Sequence, residues 1–215
     1  MSRDERTELL RQRIIRASID LFVEQGYDKT TTRQILQRVG ILNGSLYNIY
    51  DGKDDIFSDI AGIALEQMIQ RVDECLPADA SFEEKFCFPV CLQIYASGRS
   101  ARIAELLSIA HGRWEIHTKL SERYGRWYSE NMGDLPLPTM ADFDMRVDAC
   151  SGACNMIIDR MLHEPGTVDE RKAMVLICRI FLRTFGLSDE NVEEYVDHIS
   201  SIMSSTRIEI CGIEV

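Results

Sequence analysis

The 215-residue sequence has no apolar run long enough to cross a bilayer, no secretory signal and no lipidation signature. A soluble cytoplasmic protein with no membrane partner is therefore expected. Also missing are a Gly-rich phosphate loop, a nucleophile elbow and an HExxH pair. Catalysis is accordingly not expected, and no catalytic residue, metal or cofactor is assigned. Internal repeats and low-complexity tracts are absent, and no stretch reads as a convincing strand. The terminal IEICGIEV is short and β-like, which suggests a loosely held tail. Seven cysteines are an odd number without regular framework spacing, which fits a reducing compartment better than a disulfide scaffold. Positive charge is scarce: 24 Lys and Arg stand against 35 Asp and Glu, a net charge of −11.

That acidity is unevenly spread. Residues 1–55 carry nine basic and nine acidic side chains, whereas the rest carries fifteen against twenty-six. A neutral N-terminal part permits nucleic-acid binding without arguing for it. The stretch 39–52 contains no Lys or Arg and includes Asp51.

What is present is helical periodicity. Residues 2–26 form one amphipathic helix, with Ser2 and Glu5 as a capping box, a stripe through Leu10, Ile14, Ala17, Ser18 and Leu21, and Gly26 past its end. In the segment TTTRQILQRVGILNGSLYNIYDGKDDIF, residues 30–57, Thr31 caps a short helix and Gln34 reaches back to it. Ile35 and Val39 share a face. Gly40 supplies a left-handed turn, and Leu46 and Ile49 resume an inward face on the next helix. A core of Ile14, Leu21, Phe22, Ile35, Val39, Leu46 and Ile49 follows. The outward face keeps Asn43, Ser45, Tyr47 and Asn48, groups suited to base edges and phosphates in a major groove.

This segment resembles the helix-turn-helix of the tetracycline-repressor (TetR) family of bacterial transcriptional regulators. Thr30, Thr31, Ile35, Gly40, Ile41, Gly44, Leu46, Tyr47, Tyr50, Lys53 and Ile56 fall on that family's pattern in order. The resemblance implies phosphate contacts from Thr31, Tyr47 and Lys53, and base or phosphate contacts from Arg33, Asn43, Ser45 and Asn48. Leu36, Val39 and Leu42 depart from the pattern. Where a serine cap is usual stands Leu42, and Asn43 is expected to cap one residue later.

Beyond Lys53 the pattern stays helical. Helices are expected over about 54–75, 81–98, 102–112, 114–132, 140–163, 168–185 and 189–206, with GDLPLPT at 133–139 as the clearest loop. The fold class is all-α: a three-helix DNA-binding head over 1–53 and a helical effector-binding and dimerisation domain over 54–215. The helix at 168–185 is apolar nearly all round, so it needs cover on more than one side. Either a central place within one chain or a homodimer through C-terminal helices supplies that cover, and the resemblance implies the dimer, with two heads meeting successive major grooves of a double-stranded operator about 34 Å apart.

By resemblance the middle helices hold a small-molecule effector of unknown identity. Phe86, Tyr95, Trp114, Tyr124, Trp127 and Tyr128 are candidate walls, and His111 is a candidate polar fixing. Cys87/Cys91 and Cys150/Cys154 are i,i+4 pairs, each able to put two thiols on one helical face. The reading is a homodimeric repressor released from a palindromic operator by an effector. The alternative is a small-molecule-binding or thiol-sensing helical protein with a weak or non-functional head.

Overall fold

Reciprocal caps fix where the first two helices begin. In the computed structural model, which describes residues 2–131 and 140–214, both expected capping boxes are formed. The Ser2 hydroxyl accepts from the Glu5 amide at the start of α1 (Arg3–Gln25), and the Thr31 hydroxyl accepts from the Gln34 amide at the start of α2 (Thr32–Val39). The Glu5 and Gln34 side chains complete the boxes by accepting from the Ser2 and Thr31 amides at 2.7 and 2.8 Å. Gly40 takes the left-handed conformation at φ 74°, which lets the chain turn into α3 (Asn43–Tyr47).

Asn43 does not cap α3, contrary to expectation. Leu42 holds the cap position with no side-chain bond and stands 83% exposed, while Asn43 is already the first helical residue. This helix is a single turn anchored by fully buried Leu46. Of the expected head core, Ile14, Leu21, Phe22, Ile35, Val39 and Leu46 are buried, and Ile49 packs at its margin.

The chain then runs through α4 (Lys53–Cys75), α5 (Phe82–Arg99), α6 (Ala101–Gly112), α7 (Trp114–Asn131), α8 (Met140–His163), α9 (Glu170–Thr184) and α10 (Val192–Ser205). The loop expected over 133–139 lies outside the described residues. The first turns of α4 belong to the head: Ile56, Phe57, Ile60 and Ala61 share its core, together with Ala110 of α6 and Ile116 of α7. The remaining helices enclose a second core, in which Phe86 meets the rings of Tyr124, Tyr128, Phe181 and Phe185 at centroid distances of 5.3–6.2 Å. Each such buried ring contributes about 1.5–3 kcal/mol in burial.

Helix α9 finds its cover mostly within its own chain. Seven of its residues are buried against α5, α8 and α10, while Leu176 is left half exposed. Apolarity alone had not distinguished an intrachain lid from a partner.

The segment after α10 is not the loose tail expected. It forms an antiparallel hairpin, β1 (Glu209–Ile210) with β2 (Ile213–Glu214), turning through Cys211 and Gly212 at φ 53° and 75°. Two successive positive φ values match the twist of a two-residue hairpin loop. Ile208 and Ile210 are buried against the second core, the Cys211 amide donates to Gln67 Oε1 at 2.6 Å, and Arg71 donates to the Glu209 carbonyl.

Candidate DNA-reading face and ligand cavity

On α3, Leu46 points inward and Asn43, Tyr47 and Asn48 point to solvent, with Ser45 half-buried between them. Arg33 is exposed in the first turn of α2. Thr31 spends its hydroxyl on the cap, so any contact it makes with a phosphate shares that oxygen with the Gln34 amide. Lys53 is more constrained than its sequence position suggests. Its ammonium donates to the Tyr27 carbonyl at 2.8 Å and sits 4.0 Å from the Tyr27 ring centre, and burial holds its pKa below the usual lysine range.

Other head cations are also engaged. Arg38 pairs bidentately with Glu24, Arg11 pairs with Asp59, and Arg13 donates to the Val39 carbonyl. These contacts fasten α1 to α2 and α4. Arg3, Lys29 and Arg33 remain exposed.

A row of ion pairs ties α4 to α7 and to Arg113 just before it. Asp54 binds the Tyr27 hydroxyl and pairs with Arg113 at 2.8 Å, Asp55 lies 3.6 Å from Lys119, and Glu66 pairs with Arg123 at 2.7 Å. Each exposed pair is worth little alone, but together they hold α7 in register along α4.

Between these helices lies a cavity of about 180 Å³. Its wall is mostly aliphatic and aromatic and is built by both halves of the chain: Ile19 and Phe22 of α1, Phe57 and Ile60 of α4, Leu107 of α6 and Leu120 of α7, with Ile210 and Ile213 of the hairpin closing one side. The polar lining is sparse, and most of it is already satisfied. His117 Nε2 bonds Asp148 at 2.7 Å, and the Ser121 hydroxyl donates to Asp144 at 3.2 Å, both joining α7 to α8. His111 and Tyr124 are different. His111 Nδ1 and the Tyr124 hydroxyl are buried with no hydrogen-bond partner among the described residues. Desolvation holds His111 down to about 4 and pushes Tyr124 well above the usual phenol range, so both are neutral at pH 7.

A family model described as bacterial regulatory proteins, tetR family, matches residues 14–60, the span from mid-α1 to early α4. The biofilm operon icaADBC HTH-type negative transcriptional regulator IcaR of Staphylococcus epidermidis is 30% identical over 128 residues, covering 55% of this chain and 69% of that protein. The chain belongs to the TetR family. A second relative, the fatty acid metabolism regulator protein of Bacillus subtilis, is 23% identical over 111 residues, covering 51% of this chain and 57% of that protein. The chain thus spans between about half and two thirds of the length of these curated relatives. Among solved structures, RolR in complex with resorcinol superposes with a TM-score of 0.59 at 19% identity, covering 90% of this chain and 96% of that one. That similarity establishes a shared TetR-type fold.

Within this TetR-family chain the candidate wall residues separate. His111 and Tyr124 line the cavity. Phe86 and Tyr128 instead pack on each other and on Phe82 and Phe185, and Trp127 stacks on Phe82, in the second core. Tyr95 donates its hydroxyl to the Met203 carbonyl, joining α5 to α10 under the Arg99 guanidinium. Trp114 is 68% exposed at the start of α7. Aromatic rings at helical spacing satisfy one another before they line a void, which is why spacing alone overassigned them. The aliphatic and α1 contributors were missed because nothing in an isolated Ile19 or Leu107 marks a cavity wall.

The thiols are regrouped as well. Cys91 Sγ meets Cys178 Sγ of α9 at 3.5 Å, a contact across helices that i,i+4 spacing did not suggest. All seven cysteines are free. No cluster of three or more His, Cys, Asp or Glu able to hold a metal ion occurs among the described residues.

Proposed function

We propose that the chain is a ligand-responsive, homodimeric transcriptional repressor whose head, residues 1–53, binds a palindromic double-stranded operator and whose remaining helices bind effector and dimerise. One observation carries the reading: the cavity wall is shared, so an occupant touching Leu107, Leu120 and Tyr124 also touches Phe22 of α1 and Phe57 of α4. An occupant that prefers a different α1–α4 spacing biases the heads through direct packing, with the Asp54–Arg113 and Glu66–Arg123 pairs moving in step.

Dimerisation is supported by an exposed stripe on α8, where Met145, Ala149, Gly152 and Met156 recur at helical spacing, beside exposed Leu176 of α9. A two-fold partner covering this stripe makes a four-helix contact and spaces two heads for successive major grooves, about 34 Å apart. Repression follows the sign named for the Staphylococcus epidermidis relative. A regulator of this kind acts in the cytoplasm, where its DNA is.

In the head, Asn43, Ser45 and Asn48 read base edges, while Tyr47, Arg33, Thr31 and Lys53 contact phosphates. Lys53 reaches a phosphate only by exchanging the Tyr27 carbonyl for it. A second reading, a ligand-binding protein with a silent head, is favoured by the absence of Lys and Arg over 39–52 and by exposed Leu42 at the cap.

The test is selection of bound sequences from a random duplex pool at physiological salt, with Tyr47→Ala alongside. Enrichment of a palindrome that Tyr47→Ala binds at least tenfold more weakly, with unchanged dimer mass, supports the repressor. A folded, ligand-free dimer that enriches nothing supports the silent head.

A further inference from the structure

Two residues that line the cavity, His111 and Tyr124, each hold a buried polar atom without a partner, and these bear on the chemistry of its occupant. Gln93 lies on α5, facing α6, and its amide nitrogen donates to the Pro89 carbonyl at 3.3 Å. That bond fixes the amide orientation, so the atom presented to His111 Nε2 at 2.7 Å is the carbonyl oxygen Oε1, an acceptor. His111 Nε2 must therefore carry the ring proton. In the neutral ring Nδ1 is then a bare lone pair, able only to accept. It is buried, and it has no donor among the described residues. Leaving such an acceptor unpaired is unfavourable, and a ligand donor relieves it.

Charge narrows the class further. Asp144 and Asp148 are engaged by the lining residues Ser121 and His117. Among the described residues no Lys or Arg lines the cavity. An anionic ligand therefore meets no counter-charge, and burying an unpaired carboxylate is strongly unfavourable. The Tyr124 hydroxyl, also unpartnered, offers one donor or acceptor more. Size sets the last limit. At about 180 Å³ the cavity is comparable to the roughly 150 Å³ apolar cavity that admits benzene.

We infer that the occupant is a neutral, ring-sized apolar molecule bearing a hydroxyl group, a phenol or a small alcohol, which donates to His111 Nδ1. This rests on the reading of the cavity as the effector site. It excludes fatty carboxylates and other anions from this site, and it makes His111 the specificity-determining residue.

The experiment is calorimetric titration of the full chain, refolded to strip any bound molecule, with phenol, toluene and benzoate at pH 7. Phenol is expected to bind at least tenfold more tightly than toluene, and benzoate at least tenfold more weakly than phenol. In His111→Phe, phenol falls to within about threefold of toluene while toluene binding persists, which also shows that the variant folds. Equal binding of phenol and toluene by the wild-type chain, or benzoate binding as tight as phenol, overturns the inference while leaving an effector cavity in place. If none of the three probes binds, the cavity is not a ligand site, and the effector reading falls with the inference. The wild-type comparison decides between these outcomes even if His111→Phe fails to fold.

Discussion

Filling the cavity from α4 should stabilise the chain and leave it unresponsive to an effector. Ala64 is half-buried in the cavity wall, on the helix that joins the head to the rest of the chain. At about 24 cal/mol per Å³ an empty 180 Å³ space corresponds to roughly 4 kcal/mol of forgone stability. Ala64→Leu adds three carbons, worth at most about 2.4 kcal/mol at about 0.8 kcal/mol per buried methylene. Packing strain of about 1 kcal/mol leaves a net gain of roughly 1–2 kcal/mol. For a chain of this size 1 kcal/mol moves Tm by about 2–4 °C, so a rise of roughly 2–8 °C is expected. The assay is thermal unfolding by circular dichroism at one fixed protein concentration, because the melting of a dimer depends on concentration. Phenol titration of the same variant should show binding at least tenfold weaker, and DNA binding should persist without responding to phenol. A Tm lowered by several degrees with phenol binding intact would refute the reasoning, because the added carbons would then have met packed atoms rather than free space.

Three further outcomes are expected. Thr31→Ala removes the hydroxyl that accepts from the Gln34 amide, leaving only the backbone half of the second capping box, and should cost about 1 kcal/mol, a Tm lower by about 2–4 °C, with Thr31→Ser restoring most of it in the same melt. His111 has a folded pKa of about 4 against an ordinary 6.5, so the unfolded chain binds the extra proton first and stability falls as pH drops below 6.5. By pH 5 that loss is about 2 kcal/mol, and urea midpoints at pH 7 and 5 should show a correspondingly smaller drop for His111→Phe. Finally, Cys87, Cys91, Cys150, Cys154 and Cys178 are buried, whereas Cys75 and Cys211 are partly accessible. Burial pushes Cys150 up to about 11 and Cys154 up to about 12, so thiol titration of the native chain should find no more than two fast-reacting groups, with the other five appearing only on unfolding. Rapid reaction of a third thiol would reopen the thiol-sensing alternative.

Local chemistry made the head legible in the sequence. Ser2 with Glu5, Thr31 with Gln34, and Gly40 act within a turn of where they stand, so their roles can be read without knowing what packs around them. The spans of α4 to α10 were legible for the same reason, to within about three residues at each end. What escaped were relations across the chain. Lys53 looked like a free cation until Tyr27, 26 residues earlier, took its proton donors inward. The hairpin looked loose because its partners, Gln67 and Arg71, sit more than 130 residues away. The cavity escaped for a similar reason: His111 and Tyr124 differ from Tyr95 and Tyr128 only in where the fold turns them, and no periodicity records that.

The single-turn α3 bears on how this chain can change over time. It contributes one fully buried side chain, Leu46, to the head, and Asn43, Tyr47 and Asn48 have no packing duty. Under the proposed docking, substitutions on that outer face would alter which sequence is read while leaving the caps, the core and the cavity untouched. The helix could then drift among operators at almost no cost in folding, and duplicated copies of the gene could acquire new targets while keeping the same cavity.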